Sequence, residues 1–160
     1  MAELIAEHVL APVGLRNTRS DQTAVIPQPA LHAYTSERNG TFEASTDWSP
    51  SWTLAEGAIM TTDIYDAERS AIAIGAGALM SEVDFTRLTQ PLPDGLGTLP
   101  DGPYYAFGVV VDDGWVAQAP SFFGYYGVMA YHQPTGIALA YAATSGPPRP
   151  TGRTRRCSNA

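Results

Sequence analysis

Over residues 2–10, "AELIAEHVL" sets Leu4, Ile5, Val9 and Leu10 among polar positions with the recurrence of one helical face. The pattern predicts a short amphipathic helix from Ala2 to Leu10. Pro12 is expected to end it, because the residue before a proline is pushed out of the helical region. From Arg16 to Asn39 the chain mixes Asn17, Thr18, Ser20, Asp21, Pro27, Pro29, Ser36 and Asn39 with no sustained period. This stretch reads as an extended surface connection with one short strand near His32 to Tyr34. Periodicity then returns. Ile64, Ala67, Ala71 and Ile74 fall on one helical face, Thr62 or Asp63 can cap it, and Gly75 with Gly77 supplies the stop. A helix running to about Ile74 is expected, then a short one over Glu82 to Leu88, then a proline- and glycine-rich loop to residue 103.

Four strands are expected after that loop: Tyr104 to Val111, Trp115 to Gln118, Tyr125 to His132 and Gly136 to Thr144. The connectors "DDG", "SFFG" and "QPTG" are short and turn-rich, so the strands most simply form an antiparallel meander. Helices and loops come first and strands last. That order is the α+β class, an antiparallel sheet meander with flanking helices, and not the alternation of a parallel sheet. No internal repeat is visible. The pattern stops after Ser145, where "GPPRPTGRTRRCSNA" holds four of the nine basic residues and little to bury. The expected organisation is one domain over residues 1–145 and a disordered polar and basic tail over residues 146–160.

Composition narrows the classes. A chain of 160 residues is long enough for one domain with a real core, and such a chain buries roughly 70% of its unfolded surface. An apolar fraction of 44% with 16% charged residues is that of a globular chain, while Gly 15 and Pro 13 give turns an unusual share. A net charge of -7 argues against a nucleic-acid partner, which would need Lys and Arg to neutralise phosphates. The one cysteine, Cys157, excludes an internal disulfide and a cysteine-rich metal site. No run approaches the ~18 to 20 apolar residues of a membrane span, so none is expected. The first residues carry Glu3, Glu7 and His8 within the apolar stretch, unlike an export signal.

The residues alone offer no self-contained catalytic set. His8, His32 and His132 are far apart and lack a metal-binding spacing, so neither a metal nor another cofactor is expected. His132 reads as a strand-end residue. There is no Gly-x-Ser-x-Gly, no phosphate-binding glycine loop and no Ser-x-x-Lys, and "SPSW" at 49–52 lacks the lysine that would help deprotonate a hydroxyl. Trp48 and Trp52 could be imagined as an aromatic platform, but packing of a loop against the body of the domain is the favoured reading. Phe122, Phe123, Tyr125 and Tyr126 cluster in a turn and the strand after it, as core or cleft-wall packing.

Taken together, "AELIAEHVLAPVGLRNT", "STDWSPSWTLAEGAIMTT", "YYAFGVVVDDGW" and "GYYGVMAYHQPTGIALAY" resemble the C-terminal part of the β-lactamase-related serine hydrolases. These are D-alanyl-D-alanine carboxypeptidases, class C-like β-lactamases and related esterases. "APVGLRNT" at 11–18 stands where the family has a Pro-Leu-Gly-Met-x-x-Thr type motif. "AEGAIMTT" at 55–62 resembles its Ala-Gly-Gly-Leu-x-Ser-Thr, and "YAFG" at 105–108 its Tyr-Gly-Leu-Gly strand. The order of the segments agrees over residues 2–143.

The resemblance implies an acyl-enzyme mechanism on a D-Ala-D-Ala-like peptide, a β-lactam or an ester, built from three elements. A Ser-x-x-Lys supplies nucleophile and lysine, a Tyr-x-Asn moves a proton, and a Lys-Thr-Gly or His-x-Gly on an inner strand binds the substrate carboxylate and helps form the oxyanion hole. The first two would precede Ala2 and are absent here, so no catalytic residue is assigned. The third aligns with Gln118, Ala119, Pro120 and Ser121, of which Gln118 lacks a fixed charge and Pro120 replaces a glycine; only the Ser121 N–H keeps an oxyanion-donor role. Trp115, Phe122, Phe123 and Tyr125 are the expected cleft wall. The family's long C-terminal helix has no counterpart. The expectation is therefore a truncated or frame-disrupted fragment with an unpaired sheet edge and marginal stability, inactive alone, whose substrate binds only if the missing N-terminal half completes it. A non-catalytic ligand-binding or interaction module, or completion by another chain, are the other readings. The resemblance points to the cell envelope or exterior, without fixing a compartment.

Overall fold

The computed structural model describes residues 1–20, 23–49, 59–93, 97 and 102–147. The chain opens with α1 (Ala2–Ile5), passes through a π turn (Ala6–Leu10) and continues into α2 (Ala11–Val13), so the first helix outlasts its expected end at Leu10. Proline in a regular helix clashes with the carbonyl four residues before it. The widened turn ahead of Pro12 relieves that clash: the Ala11 N–H reaches back to Ala6 O at a five-residue spacing. Gly14, at φ 75, then closes the helix in the left-handed conformation.

The two later helices start on local chemistry. In α3 (Ile64–Gly75) the Asp63 carboxylate accepts the Asp66 N–H, and in α4 (Glu82–Thr89) the Ser81 hydroxyl accepts the Asp84 N–H. The buried face of α3 differs from the expected one. It holds Asp66, Ala71, Ala73 and Gly75, while Ile64 and Ile74 are exposed. Close approach to the sheet explains this, since a Cβ on Gly75 would lie 2.3 Å from the Cβ of Tyr131. Small residues fit the interface and the isoleucines are displaced to its flanks.

A two-stranded sheet joins β1 (Tyr34–Thr35) to β2 (Glu43–Ala44), and a six-stranded antiparallel sheet holds the rest. Its strands are β3 (Tyr104–Tyr105), β4 (Val110–Asp112), β5 (Trp115–Gln118), β6 (Ser121–Phe122), β7 (Tyr125–His132) and β8 (Ile137–Thr144). The expected strand from Tyr104 to Val111 is a hairpin instead. Gly108, at φ 87, reverses the chain so that Tyr104 pairs with Val111 and Tyr105 with Val110. β7 is the spine of the sheet: β5 and then β6 line one side of it, and β8 lines the other along its full length. Ala106, Val109, Val111 and Val116 form a small core around the β3–β4 hairpin, with Tyr104 packed on it. α3 covers the face of β7 that carries Tyr131. The expected tail from residue 148 onward, Trp52, and much of the proline-rich loop lie outside the described residues.

Candidate functional site

The stretch expected to stand in place of the family's third motif, Gln118 to Ser121, sits where β5 passes into β6. β5 pairs with β7 as far as Gln118 opposite Met129, and pairing resumes with Ser121 opposite Tyr126. Pro120 has no N–H to give to the ladder, so the strand breaks there, but its carbonyl still accepts the Gly127 N–H at 2.9 Å. Half-buried Gln118 spends its side chain on bonds within the chain. Its Nε2 donates to Tyr105 Oη at 3.1 Å and to the Gly108 carbonyl at 2.8 Å, while its Oε1 accepts the Ala119 N–H at 3.0 Å. Both amide protons are committed, and the residue staples β5 to the β3–β4 turn. Ala119, Pro120 and Ser121 are exposed.

Phe123 and Gly124 form the two-residue turn between β6 and β7, with φ of 47 and 83. Positive φ at both positions suits the right-handed twist of a hairpin, although a phenylalanine there is strained. Three neighbours hold it. The Ser45 hydroxyl donates to the Phe123 carbonyl at 2.6 Å, the Trp48 ring meets Phe123 edge-on at 5.0 Å, and the Phe122 ring lies 3.9 Å away. Trp48 is itself covered by the Arg38 guanidinium 4.7 Å from its ring centre, and Arg38 is ion-paired with Glu43. The tryptophan therefore packs the β1–β2 loop against the hairpin.

The four aromatic residues expected in one wall are not all brought together. Phe122 pairs with Tyr125 at one end of β7, whereas Trp115 pairs with His132 at the other and stacks on its ring at 4.8 Å. Seven residues of strand separate the two ends, roughly 24 Å. The Tyr125 hydroxyl donates to the Leu31 carbonyl at 3.0 Å; burial pushes its pKa up, reinforced by Asp47 and opposed by a hydrogen bond with Thr46. It is a neutral structural donor at physiological pH.

A cluster that the sequence pattern did not single out lies at the start of α3. Asp66 is fully buried, and its carboxylate accepts the Asn17 N–H at 2.7 Å, the Thr18 hydroxyl at 3.1 Å and Arg69 at 2.8 Å. Burial raises its pKa, and the donors from Asn17, Thr18 and Arg69 outweigh that and hold it below the ordinary value. The Asn17 side chain also reaches Asp63, and the Thr18 and Thr62 hydroxyls are 2.8 Å apart. The "RNT" of "APVGLRNT" is thus locked onto the start of α3. A capping aspartate at Asp63 was the available signal; nothing local marked Asp66.

No protein-family profile matches the sequence, and no curated protein is similar to it in sequence. Solved structures do match. A D-stereospecific amidohydrolase from Streptomyces sp. aligns at TM-score 0.74 with 19% identity, over 89% of this chain and 43% of its own. A penicillin-binding protein from Bacillus halodurans aligns at 0.70 with 16% identity, over 91% and 46%, and a penicillin-binding protein homologue from Pyrococcus abyssi at 0.65 with 16%, over 92% and 34%. The chain has a partial penicillin-binding-protein/β-lactamase-like fold. It spans less than half the length of these relatives in structure. All nine basic residues are arginines, so the sequence holds no lysine to serve a nucleophile. An apolar groove of about 100 Å³ runs between the first helix and α3, lined by residues such as Val9, Leu15, Ala73, Ile74 and Met80, away from Gln118 and the Phe122–Phe123 turn. Among the described residues no group of His, Cys, Asp or Glu is placed to hold a metal, and no helix is long and apolar enough to cross a membrane.

Proposed function

We propose that this chain is the sheet-bearing C-terminal portion of a serine hydrolase domain and that it carries out no acyl transfer with its own residues. The observation that carries the reading is Gln118. At the position aligned with the carboxylate-binding lysine or histidine stands a neutral side chain whose polar atoms are committed to Tyr105, Gly108 and Ala119. The absence of lysine and of Ser-x-x-Lys supports the same conclusion. The complete domain would act on a D-Ala-D-Ala-like peptide, a β-lactam or an ester through an acyl-enzyme. In it Ser121 would lend its backbone N–H to the oxyanion, and Phe122 and Phe123 would line the substrate. Purified chain incubated with nitrocefin, a D-amino acid anilide and a p-nitrophenyl ester is expected to give no turnover above buffer. Turnover abolished by a fluorophosphonate would overturn the reading.

The Phe122–Phe123 pair, with rings 3.9 Å apart and both half-buried, favours one second reading, a binding module without catalysis. Saturable binding of a fluorescent penicillin without turnover, lost in Phe122→Ala, would establish it.

A further inference from the structure

The loop that joins β1 to β2 reads "SERNGTF" over residues 36–42, and every residue of it is exposed. The chain's asparagines are Asn17, Asn39 and Asn159, and of these only Asn39 is followed by glycine. Asn39 is held through one side-chain atom alone. Its Oδ1 accepts the Thr41 N–H at 2.8 Å, and among the described residues its Nδ2 meets no acceptor. Gly40 has φ 78, and no atom lies within 4 Å of the place a Cβ would take.

We propose that Asn39 is a self-modification site, at which the Gly40 nitrogen displaces the side-chain amide and water then converts the residue to aspartate and isoaspartate. The bonds that decide it lie within residues 36–41, so it is independent of the hydrolase reading. In the first step a bond forms between Gly40 N and Asn39 Cγ, and the bond from Cγ to Nδ2 breaks. Nδ2 leaves as ammonia with the proton that Gly40 N gives up, and a five-membered cyclic imide remains. Water then opens the imide at either carbonyl, its hydroxyl going to the carbon and its proton to the Gly40 nitrogen. Opening at Cγ gives aspartate. Opening at the main-chain carbonyl gives isoaspartate, with the chain routed through the side-chain carbons.

The loop favours ring closure in several ways. The Thr41 N–H sits on the oxygen that gains negative charge when Cγ is attacked, as a donor in an oxyanion hole does. Glycine has no side chain to crowd the attacking nitrogen, and it passes readily between the backbone conformations that closure demands. The unbonded Nδ2 departs without costing the fold a contact. One bond opposes closure, because the Gly40 N–H is given to the Ser36 carbonyl at 2.8 Å and must first be released. On an exposed loop water takes over that carbonyl, so the delay is about tenfold at most. Asn17 lacks these features. Its Nδ2 is tied to Asp63 at 2.7 Å, its own N–H to Asp66, and the residue after it is the β-branched Thr18. Either product at position 39 places a carboxylate next to Arg38, which already holds Glu43 and covers Trp48.

Ageing the folded full chain in mildly alkaline buffer made with heavy-oxygen water, followed by peptide mapping and mass spectrometry, tests this. The peptide that carries Asn39 is expected to split into two products of equal mass, each with oxygen taken from the solvent. One of them should be a substrate for an isoaspartyl methyltransferase, and Asn17 should stay intact over the same period. The rate in the folded chain should lie within about tenfold of the rate in chain unfolded by guanidinium chloride. Asn39→Gln, whose extra methylene demands a larger ring, should give neither product, with an unchanged circular dichroism spectrum. Aspartate without isoaspartate, conversion of Asn17 ahead of Asn39, or a folded-chain rate more than about tenfold below the unfolded one overturns the proposal.

Discussion

The backbone N–H of Asn17 and the buried carboxylate of Asp66 meet at 2.7 Å, 49 positions apart in the chain. This bond, with those from Thr18 and Arg69, fixes the segment after the first helix to the helix that supports the sheet. Asp66→Ala removes all three and leaves the Asn17 N–H facing a void. The expected cost is about 2 to 4 kcal/mol, moderated because Arg69 is half exposed and recovers water. Urea denaturation followed by circular dichroism measures it.

The same carboxylate sets a pH dependence. Its folded pKa lies below its ordinary 3.8, because the Asn17, Thr18 and Arg69 donors outweigh the burial that opposes ionisation. A depressed carboxylate binds fewer protons folded than unfolded, so its contribution is complete above the ordinary value and is lost as pH falls through the folded one. Melting temperature should therefore drop below pH 4, and the drop should be shallower in Asp66→Asn. Parallel curves for the two proteins would contradict this assignment.

Gly75→Ala tests the close approach of α3 to β7. The added methyl would sit 2.3 Å from the Tyr131 Cβ, so helix or strand must shift. Overpacking of this kind costs about 1 to 3 kcal/mol, more than the ~0.5 to 1 kcal/mol that alanine gains in helix propensity. The midpoint of urea unfolding should move down; an upward shift would mean that the interface is loose.

Much of this architecture was readable in advance because its causes are local. Asp63 and Ser81 announce two helix starts, and "QPTG" between alternating strands announces the β7–β8 hairpin. What was not readable depends on distant partners. "YYAFGVVVD" looks like one strand until Gly108 turns it back on itself, and Asp66 looks like a solvent-facing charge until Asn17 and Thr18 arrive to bury it. Pro120 hid β6, since two ladder residues after a proline carry no pattern. At the site, the sequence placed Gln118 on β5 but could not show where its amide points, and it grouped Trp115 with aromatics that belong to the opposite end of β7.

The Gln118 staple predicts a measurable coupling. Gln118→Ala should cost about 0.5 to 1.5 kcal/mol, Tyr105→Phe less, and the double variant less than their sum, because both break the same bond. Strict additivity would show that the amide is not held by Tyr105 and is free for a ligand.

The central claim is that this β-lactamase-like fold holds no nucleophile of its own. Intact-mass spectrometry of the folded chain after exposure to a fluorophosphonate and to a fluorescent penicillin tests it most directly. The account predicts the unmodified mass with both reagents. A single stoichiometric adduct on a serine, absent from heat-unfolded chain, would contradict it.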